Sequence, residues 1–444
     1  MKAIHPVKLL LWSFLVWVFF YVQLPVKYLY NGNIWFPLLI LILFILAFVF
    51  GTISLKTTSI KTLKITSDKK LKQITYLFFF IGLLGIVLKI YIGVFKTGIY
   101  TSNDIFEHRL ENMGKELTGG AIGAIASILY PFSFVALLIG IYNYKYFNKV
   151  YLFLIIIFGL YPIIETFFMG GRTVIALLGT TIIFVSYASF FKNTTFTVVK
   201  FKVFKTSLAS LPKFIFKKKV LISLAIVSLL FVSYSINVLD TRLTRFNYGD
   251  RVFRVWEKKD YQWVKFDTDF KQDFYGATSE EKSRMLGLFS LKHYFVHGAF
   301  EYVRLVNDLD KTTGYYYGQY EFNVFFKFFK MLGIPLKSFS ELSVVVKRKA
   351  VYQTFWGPFY IDFGLFGLIV MFFWGRFTKR IYTYAKRGST PHLIFYGYLS
   401  TILVTSFFIN FMLGSSSYFL FAFLIALLVF KFWPNNLNFV IKSK

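Results

Sequence analysis

Apolar runs of about 20 residues recur along this chain, the length an α-helix needs to cross the hydrocarbon core of a bilayer. They lie near 7–26, 34–54, 74–95, 120–142, 150–169, 173–191, 220–238, 355–375, 392–413 and 415–432. Read as helices, they predict an all-α polytopic integral membrane protein with about 10 transmembrane helices, in keeping with 56% hydrophobic and 22% aromatic residues. The first run, Val7 to Pro25, follows only Lys2 and Lys8 and lacks a small-residue cleavage site, so it reads as a retained span.

A net charge of +30 suggests nucleic-acid binding until its distribution is followed. With the amino terminus taken as cytoplasmic, the inside segments hold 26 Lys and Arg against one acid, Asp68. The outside connections before residue 239 hold only Lys27, Lys96, Arg109, Lys115 and Arg172. This is the positive-inside pattern, which places both termini in the cytoplasm and ties the excess charge to topology or anionic headgroups, with no nucleic acid as partner. The absence of cysteine excludes disulfides, thiolate metal sites and cysteine nucleophiles.

One connection is long. Residues 239–354 mix 19 cations with 14 acids, and a loop of that length crosses the membrane regardless of charge. The expected organisation is spans 1–7 in residues 1–238, a large external helical loop in 239–354, and spans 8–10 in 355–444. Within the loop, 290–309 has helical periodicity with Ser290 as cap. "FNVFFKFFKMLGIP" (322–335) predicts an interfacial helix that stops at Pro335. A second outside segment, 97–118, is expected to pack against the loop, and 192–219 forms a basic cytoplasmic linker.

Charges within spans are costly, and only Lys89, Glu165 and Asp362 occur there. Lys89 is expected to snorkel. Glu165 and Asp362 lie towards the outer ends of their spans, which favours a site at the external face over a coupled transporter site at the midplane. Glu165 has an alternative reading as a structural partner of Arg172. Gly170 and Gly171 allow a tight turn, and the small residues from Gly119 to Ala126 read as a helix-packing seam.

In "LKHYFVHGAFEYVRLVNDL" (291–309), an advance of about 100° per residue puts His293, His297, Glu301, Arg304 and Asp308 within roughly an 80° arc. A solvated face of an amphipathic helix would look the same. A lipid-diphosphate substrate would use this face: arginines neutralise and fork onto phosphate oxygens, and a histidine near the incoming hydroxyl acts as base. Arg242, Arg245, Arg251 and Arg254 follow span 7 directly. A two-histidine zinc site ranks below acid–base chemistry because no HExxH arrangement is present.

The chain resembles the oligosaccharide repeat-unit polymerases of bacterial surface polysaccharides, the O-antigen or Wzy-type polymerases. The resemblance spans most of the length and rests on "GGRTVIALL", "YYYGQYEFNVFFKFFKMLG", "DFGLFGLIVMFFWG" and the many spans interrupted by one large loop. It implies a GT-C-like, metal-independent inverting glycosyltransferase without cofactor, in the bacterial inner membrane. Such an enzyme joins undecaprenyl-diphosphate-linked oligosaccharides into a surface polysaccharide, and a chain-length regulator is a candidate partner. His297 and Glu301 are the expected catalytic pair. Arg172, Arg242, Arg245, Arg251, Arg254 and Arg304 are the expected diphosphate ligands, with Glu165, His293 and Asp362 in supporting roles. Related ligases share the architecture, and a flippase of lipid-linked sugars or a non-catalytic scaffold are the readings from other classes.

Overall fold

The computed structural model describes residues 3–29, 32–55, 67–101, 120–168, 171–192, 264–309, 315–331, 333–337 and 352–433, with isolated positions between 233 and 257. Most of the expected seventh span, most of the basic linker and the segment beyond residue 101 lie outside the described residues. In chain order the elements are α1 (Pro6–Val22), β1 (Val26–Tyr28), α2 (Trp35–Ser54), α3 (Asp68–Tyr91), α4 (Gly120–Leu129), α5 (Pro131–Tyr142), α6 (Lys149–Gly159), α7 (Tyr161–Phe168) and α8 (Thr173–Lys192). They continue as β2 (Val264–Phe266), α9 (Thr268–Gly276), α10 (Ser279–Leu309), α11 (Asn323–Met331), α12 (Trp356–Phe363), α13 (Gly367–Lys386), α14 (Thr390–Val404) and α15 (Ser417–Phe432).

This is a helical membrane protein. Among the described residues, six helical stretches are long and apolar enough to cross a bilayer: Trp35–Ser54, Asp68–Lys96, Ala121–Tyr142, Lys149–Phe167, Trp356–Lys386 and Gly414–Phe432. Pro6–Val22 and Thr173–Ser189 are shorter apolar helices. The run expected to span from 392 to 413 is a helix only to Val404, after which turns carry the chain to Leu413 with Ser406 and Asn410 buried.

Several spans are broken where the sequence requires it. Pro131 and Pro162 cannot donate to the preceding turn, and the helices restart around them at α5 and α7. Between α12 and α13 the break falls at Gly364, with φ 52° and ψ −134°, a conformation open only to glycine. The Tyr315 ring occupies the place a Cβ would take there.

With no hydrophobic driving force between helices inside lipid, close packing comes from small residues that let backbones touch. Any Cβ on Gly51 of α2 would overlap the Phe372 carbonyl of α13, and one on Gly375 would overlap that of Phe48. Gly82 and Gly85 of α3 meet Ser133 and Tyr130 in the same way. The seam between α3 and the α4–α5 stretch is therefore built from α3's glycines. Gly123, in the expected seam, has its nearest neighbour, Ile92, 3.9 Å from an added Cβ, an ordinary contact.

The long connection does not stand apart from the spans. Residues Tyr302, Leu305, Val306 and Leu309 of α10 belong to the same core as α2, α12 and α14. Its first half joins a second core with Phe253, Phe266 and Phe274. That core is closed by two three-residue strands, β1 and β2, paired antiparallel with Val26 opposite Phe266. The strand pair is a departure from a purely helical chain.

Helix α10 is 31 residues long and begins at Ser279, so Ser290 is no cap but a buried interior residue. The start is set by Thr278 and Glu281: the Glu281 carboxylate accepts from the Thr278 N–H at 2.9 Å, and the Glu281 N–H donates back to the Thr278 hydroxyl at 3.4 Å. This reciprocal pair is a capping box. Likewise α11 ends at Met331, before Pro335, and the left-handed Gly333 (φ 84°) turns the chain away. Phe325 of α11 packs on Phe421 of α15.

Candidate functional site

The polar stripe of α10 is not a solvated face. No residue from Leu291 to Leu309 is exposed, and His293 and His297 keep only 6% and 7% of their surface. Burying imidazoles requires partners for their ring nitrogens, and the structure supplies them. The Tyr28 hydroxyl lies 2.8 Å from Nδ1 of His293, and Nδ1 of His297 lies 2.8 Å from the His293 carbonyl oxygen. A carbonyl only accepts, so Nδ1 of His297 carries the proton and Nε2 is the basic nitrogen of the neutral ring. The two imidazoles stack at 4.9 Å.

Glu301 and Arg304 sit one to two turns further along and bind each other at 3.1 Å, both largely buried. A backbone carbonyl thus orients His297, and a carboxylate already balances the Arg304 charge. Asp308 follows on the same helix, half-buried.

Arg172 comes to α10 from a different part of the chain. After α7 the Gly171 N–H donates to the Thr166 carbonyl at 2.8 Å, closing the turn, and an added Cβ on Gly171 would press on the Thr166 methyl. The turn delivers the Arg172 guanidinium over the Tyr294 ring, 4.5 Å from its centroid. Next to it, the Thr173 hydroxyl meets that of Tyr352 at 2.7 Å, and the Tyr352 ring lies 5.8 Å from the His297 ring. Arg172 and His297 are therefore joined through two tyrosines, although 125 positions separate them in the sequence.

A cavity of about 130 Å³ opens at this place, lined by Arg172, Thr173, Tyr294 and Tyr352 and closed by Thr405 and Phe408 from the turns after α14. It has the room of roughly four water molecules, the scale of a phosphate group. Gly298 lets α10 come this close to the closing turn, since an added Cβ would lie 2.6 Å from the Phe408 carbonyl oxygen. Among the described residues Arg172 has no carboxylate partner.

Glu165 is not that partner. It binds Lys89 at 3.4 Å and accepts from the Tyr100 hydroxyl at 2.8 Å. Lys89, expected to reach for the interface, pairs with Glu165 while its side chain stays about a quarter exposed (26%), and its ammonium also lies over the Tyr130 ring. Two opposite charges inside the spans thus neutralise each other.

Asp362 is wholly buried on α12 and accepts from the Tyr320 and Glu321 N–H groups at 2.9 and 2.8 Å. It fastens the aromatic turn before α11 to the start of the α12–α13 span. The sequence reading missed two partners of this joint, Glu321 and Asn410. The Asn410 amide donates to Glu321 at 2.8 Å, and burial together with the Asp362 charge pushes the Glu321 carboxyl well above the usual carboxylate range. A lone acid inside "YYYGQYEF" was the available signal.

Arg242, Arg245, Arg251 and Arg254 lie outside the described residues. Among the described residues no group of three or more His, Cys, Asp or Glu side chains converges to hold a metal ion. No protein-family model, curated protein or solved structure matches the chain.

Proposed function

We propose that the chain is a membrane glycosyltransferase that joins lipid-diphosphate-linked oligosaccharide repeat units into a surface polysaccharide, working on the outer face of the bacterial inner membrane with both termini in the cytoplasm. The observation that carries this reading is Arg172: a half-buried guanidinium, unpaired among the described carboxylates, set on a phosphate-sized cavity whose Tyr352 wall touches His297. An unpaired cation in such a place favours an anionic ligand.

In the proposed reaction Nε2 of His297 takes the proton of the acceptor sugar hydroxyl. That oxygen forms a bond to the anomeric carbon of the donor glycan from the face opposite the diphosphate, and the bond from that carbon to the diphosphate oxygen breaks with inversion. Arg172 stabilises the departing diphosphate as its charge grows. Glycosyl transfer of this kind balances without nucleotide or oxidant. The other face of α10 suits a lipid-borne substrate: Ala299, Phe300 and Val303 line an apolar groove of about 500 Å³ against α1 and α2.

The test is incubation of the purified protein with lipid-diphosphate repeat units, in detergent with chelator and without nucleotide, and separation of the products on a gel. A ladder is the expected result. Intact, unextended units together with transport activity in liposomes would replace the proposal by a flippase, a reading to which Lys89 and Glu165, bound to each other, offer no open charge.

A further inference from the structure

The cavity wall contributed by residues 405–411 is held from behind. Thr405, Phe408, Ile409 and Phe411 face the cavity, whereas Asn410 between them is buried and turns the other way onto Glu321. The Asn410 side-chain oxygen accepts from the Met412 N–H at 2.8 Å, so the amide grips its own turn while it holds Glu321. The neighbouring wall meets the same turn. Tyr352 faces the cavity, and the next residue, Gln353, is buried with its side chain beside Tyr320. The 405–411 wall is therefore fastened to Glu321 and the Tyr352 wall abuts Tyr320, adjacent positions of one turn that Asp362 holds through their backbone N–H groups.

We infer that Glu321 is a positioning residue for the Arg172 cavity: as a neutral acid hydrogen-bonded to Asn410, it fixes the turn that closes the cavity beside Tyr352 and His297. The neutral form follows from the surroundings. Glu321 is fully buried, the groups facing it are the Asp362 carboxylate, the Asn410 amide and the Tyr320 and Tyr398 rings, and no Lys or Arg among the described residues pairs with it. Its second oxygen, Oε1, is buried without a hydrogen-bond partner among the described residues, a place that would be far costlier for an ionised carboxylate than for a neutral acid. The inference rests on the reading of this cavity as the substrate site, but its structural half can be tested without substrate.

Because the chain has no cysteine, one introduced thiol reports alone. The Ile409→Cys variant places it on the cavity wall at a half-buried position, and Asp269→Cys places a control on exposed α9. The expected result is that Glu321→Ala raises the rate of maleimide labelling at position 409 at least fivefold, leaves labelling at 269 unchanged and lowers ladder formation. Glu321→Gln, which keeps shape and neutrality, leaves both readouts as in the parent. If Glu321→Ala does not fold, Asn410→Leu replaces it with the same expectation. The thermal midpoint provides a second readout. A carboxyl whose folded pKa is raised contributes stability at low pH that is lost as pH rises, so the parent midpoint should fall on alkalinisation more than that of Glu321→Gln. Parental labelling in a folded Glu321→Ala protein, or a Gln variant that behaves like Ala, overturns the inference. Absence of a ladder in the parent protein overturns the catalytic reading alone, since the labelling contrast does not depend on it.

Discussion

Arg172 and Arg304 both reach α10, and their surroundings are opposite. Arg304 lies one turn from Glu301 and is bound to it at 3.1 Å, a pairing that a helix provides at low cost wherever the two residues stand three apart. Arg172 is brought by a separate turn onto an aromatic face, with no carboxylate among the described residues to balance it. The first arrangement is what stability alone would select. The second leaves a cation without a carboxylate among the described residues, the place the proposal gives to the diphosphate, and it is the second that shares a wall with His297.

The comparison gives an order of effects on ladder formation. His297→Ala, which removes the proposed base, is expected to lower turnover by about 10²–10⁴-fold; unchanged product length would remove His297 from the mechanism. Arg172→Gln should cost roughly 10²–10³-fold, as loss of a single donor to a developing anion does elsewhere. Tyr294→Leu, which keeps the guanidinium but takes away the ring beneath it, should cost on the order of 3–30-fold. Arg304→Gln should reduce turnover by less than about threefold, although it leaves the largely buried Glu301 carboxylate without this partner and so should lower stability by about 3–5 kcal/mol, read from the thermal midpoint. Equal losses for the two arginine variants would erase the distinction between them. Glu301→Gln sharpens it: freeing Arg304 should leave turnover near the parent level if Arg172 is the diphosphate ligand.

The amount of this that was legible in the sequence depends on range. Six of the expected spans were legible because lipid demands long apolar runs, and the breaks at Pro131 and Pro162 follow from local chemistry. The start of α10 was equally local, since Thr278 and Glu281 have the spacing of a capping box, but the apolar periodicity further along drew attention to Ser290 instead. The stripe from His293 to Asp308 was found by angle alone, whereas its burial was not, because α1, α2 and α12 cover it from distant parts of the chain. The same limit hid the Asn410–Glu321–Asp362 joint, whose members are 41 to 89 positions apart. It also left Arg172 as an alternative partner for Glu165, which pairs with Lys89 on another helix.

The pairing of β1 with β2 has a consequence in time. About 240 residues separate Val26 from its partner strand, so at synthesis rates of about 5–20 residues per second the first strand emerges roughly 10–50 s before the second exists. During that interval Tyr28 lacks His293, which it later binds. The helix that carries the histidines is thus completed only when most of the chain has been made, and a ribosome stalled before residue 264 would leave β1 without its partner strand and Tyr28 without His293.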